Sequence, residues 1–208
     1  MSVNGLTLSV APTVEPVSVD EIKSQLRIID DDADNTTLSF YIQSAREFFE
    51  TQTNRQLCTA TWIATYDFFP GRKVDEYRPP GWRYGIIRLP RSPLASVVSV
   101  QYIDTNGDTQ TLASTEYQVS TKSEPGRVAP ARFKVWPITD PMSMEAVTVT
   151  FTAGYGGASD VPVRFKQAIR FLVGHLYENR EATVEQALTD LPLGFKSYLR
   201  ASKIAEYN

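Results

Sequence analysis

A single cysteine, Cys58, and a single histidine, His175, stand among the 208 residues. One cysteine excludes an intrachain disulfide and fits synthesis in a reducing compartment. One residue of each kind is too few for a zinc site within one chain. No apolar run nears the ~20 residues of a membrane-spanning helix. The start, Met1-Ser2-Val3-Asn4-Gly5, lacks a basic stretch followed by an apolar one. The reading is therefore a protein made and kept in the cytoplasm until it joins something. Net charge is −3, which denies the chain the basic excess that a DNA-coating protein needs to displace counterions. It does not exclude a protein that surrounds DNA without gripping it. A Gly-x-Ser-x-Gly nucleophile elbow is missing. Gly154-Tyr155-Gly156-Gly157 lacks the Lys-Ser/Thr ending of a phosphate loop and reads as a strand-to-helix hinge.

What is present is a folded chain of ordinary make-up. Hydrophobic content of 42% and charged content of 22% are enough to bury one core in one domain. Residues 1–16, with Pro12 and Pro16, read as an extended N-terminal arm. Ser18-Val19-Asp20-Glu21 is a capping box, followed by Ile22, Leu26 and Ile29 at helical spacing. An acidic turn, Asp30 to Asp34, leads to a second helix over 35–53. There Leu38, Tyr41, Ile42, Ala45, Phe48 and Phe49 share a face. Residues 17–55 thus read as a helical hairpin.

The period changes to two after Leu57, and residues 56–158 read as a β-rich insertion. Strands are expected over 59–68, 86–89, around Val98 to Tyr102, and over 109–112, 117–120, 132–136 and 146–152. Asn106-Gly107 marks a hairpin. Residues 154–159 read as a flexible joint. A third helix over 162–180 carries the stripe Phe165, Ala168, Ile169, Leu172, Val173, Leu176 and Tyr177, with Pro162 tolerated in its first turn. A polar connector over 182–190 and a last helix over 193–206 complete the segment 159–208. The whole reads as one α+β domain: about four helices with an antiparallel β unit inserted between the second and third.

Four groups of residues invite a chemical reading. Asp30, Asp32 and Asp34 have calcium-loop spacing. The sixth position, however, is Asn35 rather than glycine, and the twelfth is Tyr41 rather than glutamate, so a turn that caps the second helix fits better. Cys58 at a strand start reads as a small core residue, and His175 as a boundary or subunit-contact residue. A Cys58/His175 pair is the enzyme reading, with no partner residues to support it. Residues 72–91 form a basic, aromatic loop with Arg72, Tyr77, Arg78, Trp82, Arg83 and Tyr84. Those residue types serve protein interfaces or, in a monomeric nucleic-acid-binding module, phosphates and bases. Protein contact is the preferred reading, because no nucleic-acid-binding motif accompanies the loop.

Five fragments then recur in a telling order. They are Pro16-Val17-Ser18-Val19-Asp20-Glu21-Ile22-Lys23, Leu89-Pro90-Arg91-Ser92-Pro93-Leu94-Ala95-Ser96-Val97, Val149-Thr150-Phe151-Thr152-Ala153-Gly154-Tyr155-Gly156, Tyr177-Glu178-Asn179-Arg180-Glu181 and Leu191-Pro192-Leu193-Gly194. Over residues 14–202 this pattern resembles the head–tail connector (adaptor, or head-completion) family of long-tailed bacteriophages and gene transfer agents. The resemblance implies a structural virion protein at the neck, without catalytic residues or cofactor. It implies a ring, usually of twelve copies, docked under the portal protein. Such a ring extends the DNA channel, lets packaged DNA pass without sequence-specific binding, and receives a downstream neck, stopper or tail protein. It also implies a portal-docking role for the terminal segment, here Phe195, Tyr198, Leu199, Arg200, Lys203 and Tyr207. The sequence reading adds that this segment, beyond a polar connector, reaches away from the body. The insertion over 72–84 departs from the family pattern and puts transfer of the tail-side contacts in doubt.

Overall fold

A computed structural model describes residues 3–28, 34–70, 85–179 and 193–204. The chain divides into two compact units. One comprises residues 12–59 and 155–205; the other, residues 1–11, 60–154 and 206–208. The architecture is mixed α+β.

The first unit is helical. Helix α1 spans Val19–Leu26, and its capping box forms as the sequence predicts. Glu21 N donates to Ser18 Oγ at 3.2 Å, and Ser18 N donates to Glu21 Oε2 at 2.9 Å. The helix stops where Arg27 enters the left-handed region. Helix α2 spans Asn35–Thr53, and α3 spans Val163–Glu178. Helix α4 spans Leu193–Ser202. Leu38, Ile42, Ala45 and Phe49 of α2 meet Phe165, Ala168, Ile169, Leu172 and Val173 of α3 in one core, with Ile22 and Phe195. Phe49 and Phe165 pack with ring centroids 5.5 Å apart. Each large side chain so buried contributes about 1.5–3 kcal/mol. Packing of the apolar stripes, rather than helix propensity, holds helices of this length.

A buried polar network crosses this unit. Arg46 Nε donates to Glu15 Oε2 at 2.8 Å, and Arg46 Nη1 to Glu50 Oε2 at 3.0 Å. The other Glu50 oxygen accepts from Gln56 Nε2 and Leu57 N, both at 2.8 Å. This carboxylate ties the end of α2 to the chain that follows it, and its charge is satisfied on both oxygens.

The described part of the second unit is built of β-strands, with one short 3-10 turn at Ser114–Glu116. Strands β1 (Gly5–Val10), β2 (Ala60–Tyr66), β8 (Val147–Ala153), β4 (Leu94–Ile103) and β5 (Thr109–Thr111) form an antiparallel sheet in that order. Strands β3 (Ile87–Leu89), β7 (Gly126–Pro130) and β6 (Tyr117–Ser120) form a second sheet. Both sheets face one core of Ala64, Tyr66, Val100, Val147, Val149 and Phe151 with Ile87, Leu89 and Val128. Strand β8 shows why: its valines and Phe151 alternate inward while Thr148, Thr150 and Thr152 face out. The sheets approach so closely that a Cβ on Gly126 would collide with Leu94.

Several expectations change here. The N-terminal arm contains a paired strand, β1, in register with β2. The strand expected over 132–136 is absent. The strand lies earlier, at β7, and residues 131–146 run without strand. Phe133 takes φ +63, and Lys134 N closes a turn onto Ala131 O, so the backbone bends where the side chains alternate. On each side of the joint over 154–159 the chain is hydrogen-bonded within its own unit. Gly154 N donates to Pro93 O, Tyr155 N to Leu57 O, and Gly157 N to Asp160 Oδ2, all at 2.9 Å. Gly156 sits at φ +130 against the Asp160 carboxylate, where a Cβ would clash.

Candidate interaction surfaces

Of the acidic turn, only Asp34 lies within the described residues. It precedes α2 but makes no side-chain cap. Its carboxylate instead accepts from the Tyr177 hydroxyl at 2.7 Å, tying the start of α2 to the end of α3. Among the described residues, no group of three or more His, Cys, Asp or Glu side chains could hold a metal ion. No described helix is long and apolar enough to cross a membrane.

Cys58 is 1% exposed. Burial, reinforced by the carboxylates of Glu15 and Glu50, pushes its thiol up to about 11. A nucleophilic thiolate needs the opposite environment. Cys58 is within electrostatic reach of Lys166, near the start of α3. His175 lies nine residues further along the helix, a rise of about 13 Å. There Asn179 Nδ2 meets its Nδ1 at 3.3 Å. The fold does not bring the two together as a catalytic pair.

The basic, aromatic loop is mostly outside the described residues: Arg72, Tyr77, Arg78, Trp82, Arg83 and Tyr84 all fall there. Its end is described and belongs to the fold. Strand β3 buries Ile87 and Leu89. The Arg91 guanidinium stacks over Trp62, 4.7 Å from the ring centroid. That leaves its planar face engaged within the β unit and not offered to bases.

The terminal helix does not reach away from the body. Phe195 is 2% exposed, within the helical core, and stacks with Phe48 at 6.4 Å between centroids. Tyr198 and Leu199 pack against the same core, and Tyr198 also faces Phe171 at 6.3 Å. Arg55 Nε donates to Ser202 O at 2.8 Å, and Ile204 N to Thr53 O at 3.0 Å. The sparse apolar side chains of this segment needed a partner surface, and the helical core supplies it. Lys196, Arg200 and Lys203 remain exposed, so the segment presents a basic side. Tyr207 lies outside the described residues.

One surface was missed by the sequence reading. Phe133, Val135, Ile138, Met142 and Met144 are all strongly exposed on the stretch between β7 and β8. The sequence over 132–136 reads as a strand. The proline and turn residues that follow, Pro137 and Asp140-Pro141, were the available signal against it.

Comparison with known proteins gives this scaffold a context. No curated protein matches the chain significantly. Solved structures share its fold, three of which follow. The neck of an empty GTA particle, computed with C6 symmetry, aligns with TM-score 0.73 at 20% identity, covering 98% of this chain and 97% of that one. A chain in the virion of a native gene transfer agent particle aligns with TM-score 0.71 at 21% identity and the same coverage. A chain in the neck of a native GTA particle, computed with C12 symmetry, aligns with TM-score 0.66 at 20% identity, covering 97% of each chain. The sequence pattern of the phage gp6-like head-tail connector proteins matches residues 16–123. That span is more than half of the chain and runs from the capping box of α1 into the β unit. The chain belongs to the phage gp6-like head-tail connector family, structural proteins of the virion neck at the head–tail junction.

Proposed function

We propose that this chain forms a closed ring beneath the portal protein, extends the DNA channel, and joins the capsid to the next neck, stopper or tail protein. The observation that carries this reading is family membership, combined with a fold shared end to end with neck chains of symmetric particles. A closed ring uses heterologous contacts, so each subunit must offer two different faces. The arrangement proposed is a helical body with the β unit inserted in sequence between α2 and α3. Twelve copies fit the resemblance. Packaged DNA passes through the channel without sequence readout, in keeping with the slight net negative charge.

The portal contact is assigned to the exposed basic side of α4, Lys196, Arg200 and Lys203, with Tyr207 beyond it. Phe195 serves by holding that helix on the core; Tyr198 and Leu199 do so in part. The 72–84 loop, with Arg72, Tyr77, Arg78, Trp82, Arg83 and Tyr84, is assigned to contact with a neighbouring subunit or a downstream neck protein.

Light scattering after size exclusion, alone and with portal protein, tests the reading. A ring of twelve 23.3 kDa chains has a mass of about 280 kDa. Counting copies per particle by quantitative mass spectrometry should give the same number. One or two copies per particle, or a monomer that forms only a salt-sensitive DNA complex, would overturn it.

A further inference from the structure

The segment between β7 and β8 is unusual in how it is held. Phe133 is 91% exposed, Val135 85%, Ile138 78%, Met142 89% and Met144 87%. A flexible loop with such side chains would collapse onto the nearest apolar surface. Here the backbone is fixed at intervals. Ala131 N donates to Glu116 O at 2.9 Å, and the Lys134 ammonium meets Glu116 Oε1 at 2.9 Å. Trp136 turns inward, stacks on Phe69 at 4.6 Å and donates its indole N–H to Gly85 O. Asp140 N donates to Ile103 O at 3.0 Å, and Glu145 N to Asp67 Oδ1 at 3.2 Å. Asp140 also gathers Ser143 and Met142 N onto its carboxylate. Between these fixed points the apolar side chains point outward. Arg132 lies over the exposed Phe133 ring at 4.7 Å, a pairing of the residue types that carry binding energy at interfaces.

We propose that residues 133–144 are a subunit contact, docking onto a neighbouring copy of this same chain. The inference rests on the ring reading above and names one of the two faces that such a ring requires. Three observations select a second copy. The five side chains expose on the order of 700 Å² of mostly apolar surface. That exceeds the few hundred Å² usual for a patch on a monomer and comes near the ~800 Å² each partner contributes to a stable interface. The segment's charges balance, Arg132 and Lys134 against Asp140 and Glu145, and Lys134 is already paired with Glu116. DNA lining a channel would find no basic excess here. Finally, a segment held in place before binding loses little conformational freedom on docking. The family match ends at residue 123, so nothing in it assigns this segment.

Photo-crosslinking in assembled particles tests the proposal directly. The photoreactive residue p-benzoylphenylalanine replaces Ile138 in the full chain, which is then incorporated into particles and irradiated. Adducts between copies of this chain, as a ladder of dimers and larger species, are expected, and peptide mass spectrometry identifies the receiving face. Several copies per neck with no adduct, or adducts only to another neck protein or to DNA, overturn this inference and leave the ring reading standing. A chain present singly in the neck, or absent from it, overturns both. As a second measurement, the double variant Phe133→Ser/Ile138→Ser should self-associate about tenfold or more weakly. Its circular dichroism should match the parent, because neither side chain supports the core. Unchanged association by a folded double variant also refutes the assignment.

Discussion

Replacing Phe195 with alanine removes a side chain that is 2% exposed and stacked on Phe48. A buried Phe→Ala change costs about 3–5 kcal/mol, combining lost transfer energy with the cavity left behind. The other described anchors of α4 are weaker. The Arg55 bond to Ser202 O and the Ile204 bond to Thr53 O each contribute roughly 1–3 kcal/mol. Phe195 is therefore the largest single contributor among these contacts, alongside the partly buried Tyr198 and Leu199. With a urea slope of about 2 kcal/mol/M, the unfolding midpoint should fall by about 1.5–2.5 M. Two probes separate the units. Far-UV circular dichroism at the helical band follows α1 to α4. Tryptophan fluorescence follows the β unit, because Trp62 and Trp136 lie there and Trp82 belongs to the same stretch of sequence. The dichroism transition should move much further than the fluorescence transition. Phe195→Leu, which keeps most of the volume, should cost less than about 1.5 kcal/mol. Deletion of residues 195–208 should lower the dichroism midpoint at least as far as Phe195→Ala. A dichroism midpoint within about 0.3 M of the parent in either the alanine variant or the truncation would refute the placement of Phe195 in the core.

Four further outcomes are expected. Glu50→Ala leaves the buried Arg46 guanidinium with Glu15 and Glu47 and takes an acceptor from Gln56 Nε2 and Leu57 N, and should cost about 1–3 kcal/mol in the same dichroism melt. A loss below about 1 kcal/mol would show that the network is dispensable. Cys58 should react with a thiol reagent at pH 8 only as fast as the helical unit opens, because burial raises its pKa to about 11. Cys58→Ser and His175→Ala should leave neck assembly intact, and loss of particle function in either variant, once folded and assembled, would contradict this. Asp104, which accepts from Gln110 Nε2, Asn106 N and Asp108 N, should titrate below the usual carboxylate range. Its folded pKa is depressed, so its contribution to the β4–β5 turn is complete above about pH 4 and is lost as pH falls through the depressed value. A carboxyl carbon NMR titration giving an ordinary or raised value for Asp104 would refute that assignment.

What the sequence determined by itself was local. Ser18 and Glu21 lie three residues apart, so their reciprocal hydrogen bonds follow from helix geometry alone. The span of α2, the stripe on α3 and the Asn106-Gly107 turn follow from spacing and backbone preference in the same way. Family character was also legible, because it resides in the order of such fragments. Tertiary structure decided the rest. Phe195 could be read as seeking a partner, but only the folded core shows that Phe48 stands ready to receive it. Gly126 and Pro130 look like strand breakers. They serve in β7 because the opposing sheet comes too close for a Cβ at Gly126, and because Pro130 sits at the end of the strand, where its carbonyl accepts from Gln118. The alternation through Phe133, Val135 and Trp136 has the period of a strand whichever way it faces. Its direction was decided by contacts distant in sequence: Glu116 with Lys134, Gly85 and Phe69 with Trp136, and Ile103 with Asp140. Those contacts turn Trp136 inward, partly buried, and leave its apolar neighbours facing outward. A pattern of neighbours along the chain cannot encode that choice, because it depends on which surfaces the rest of the fold has already brought alongside.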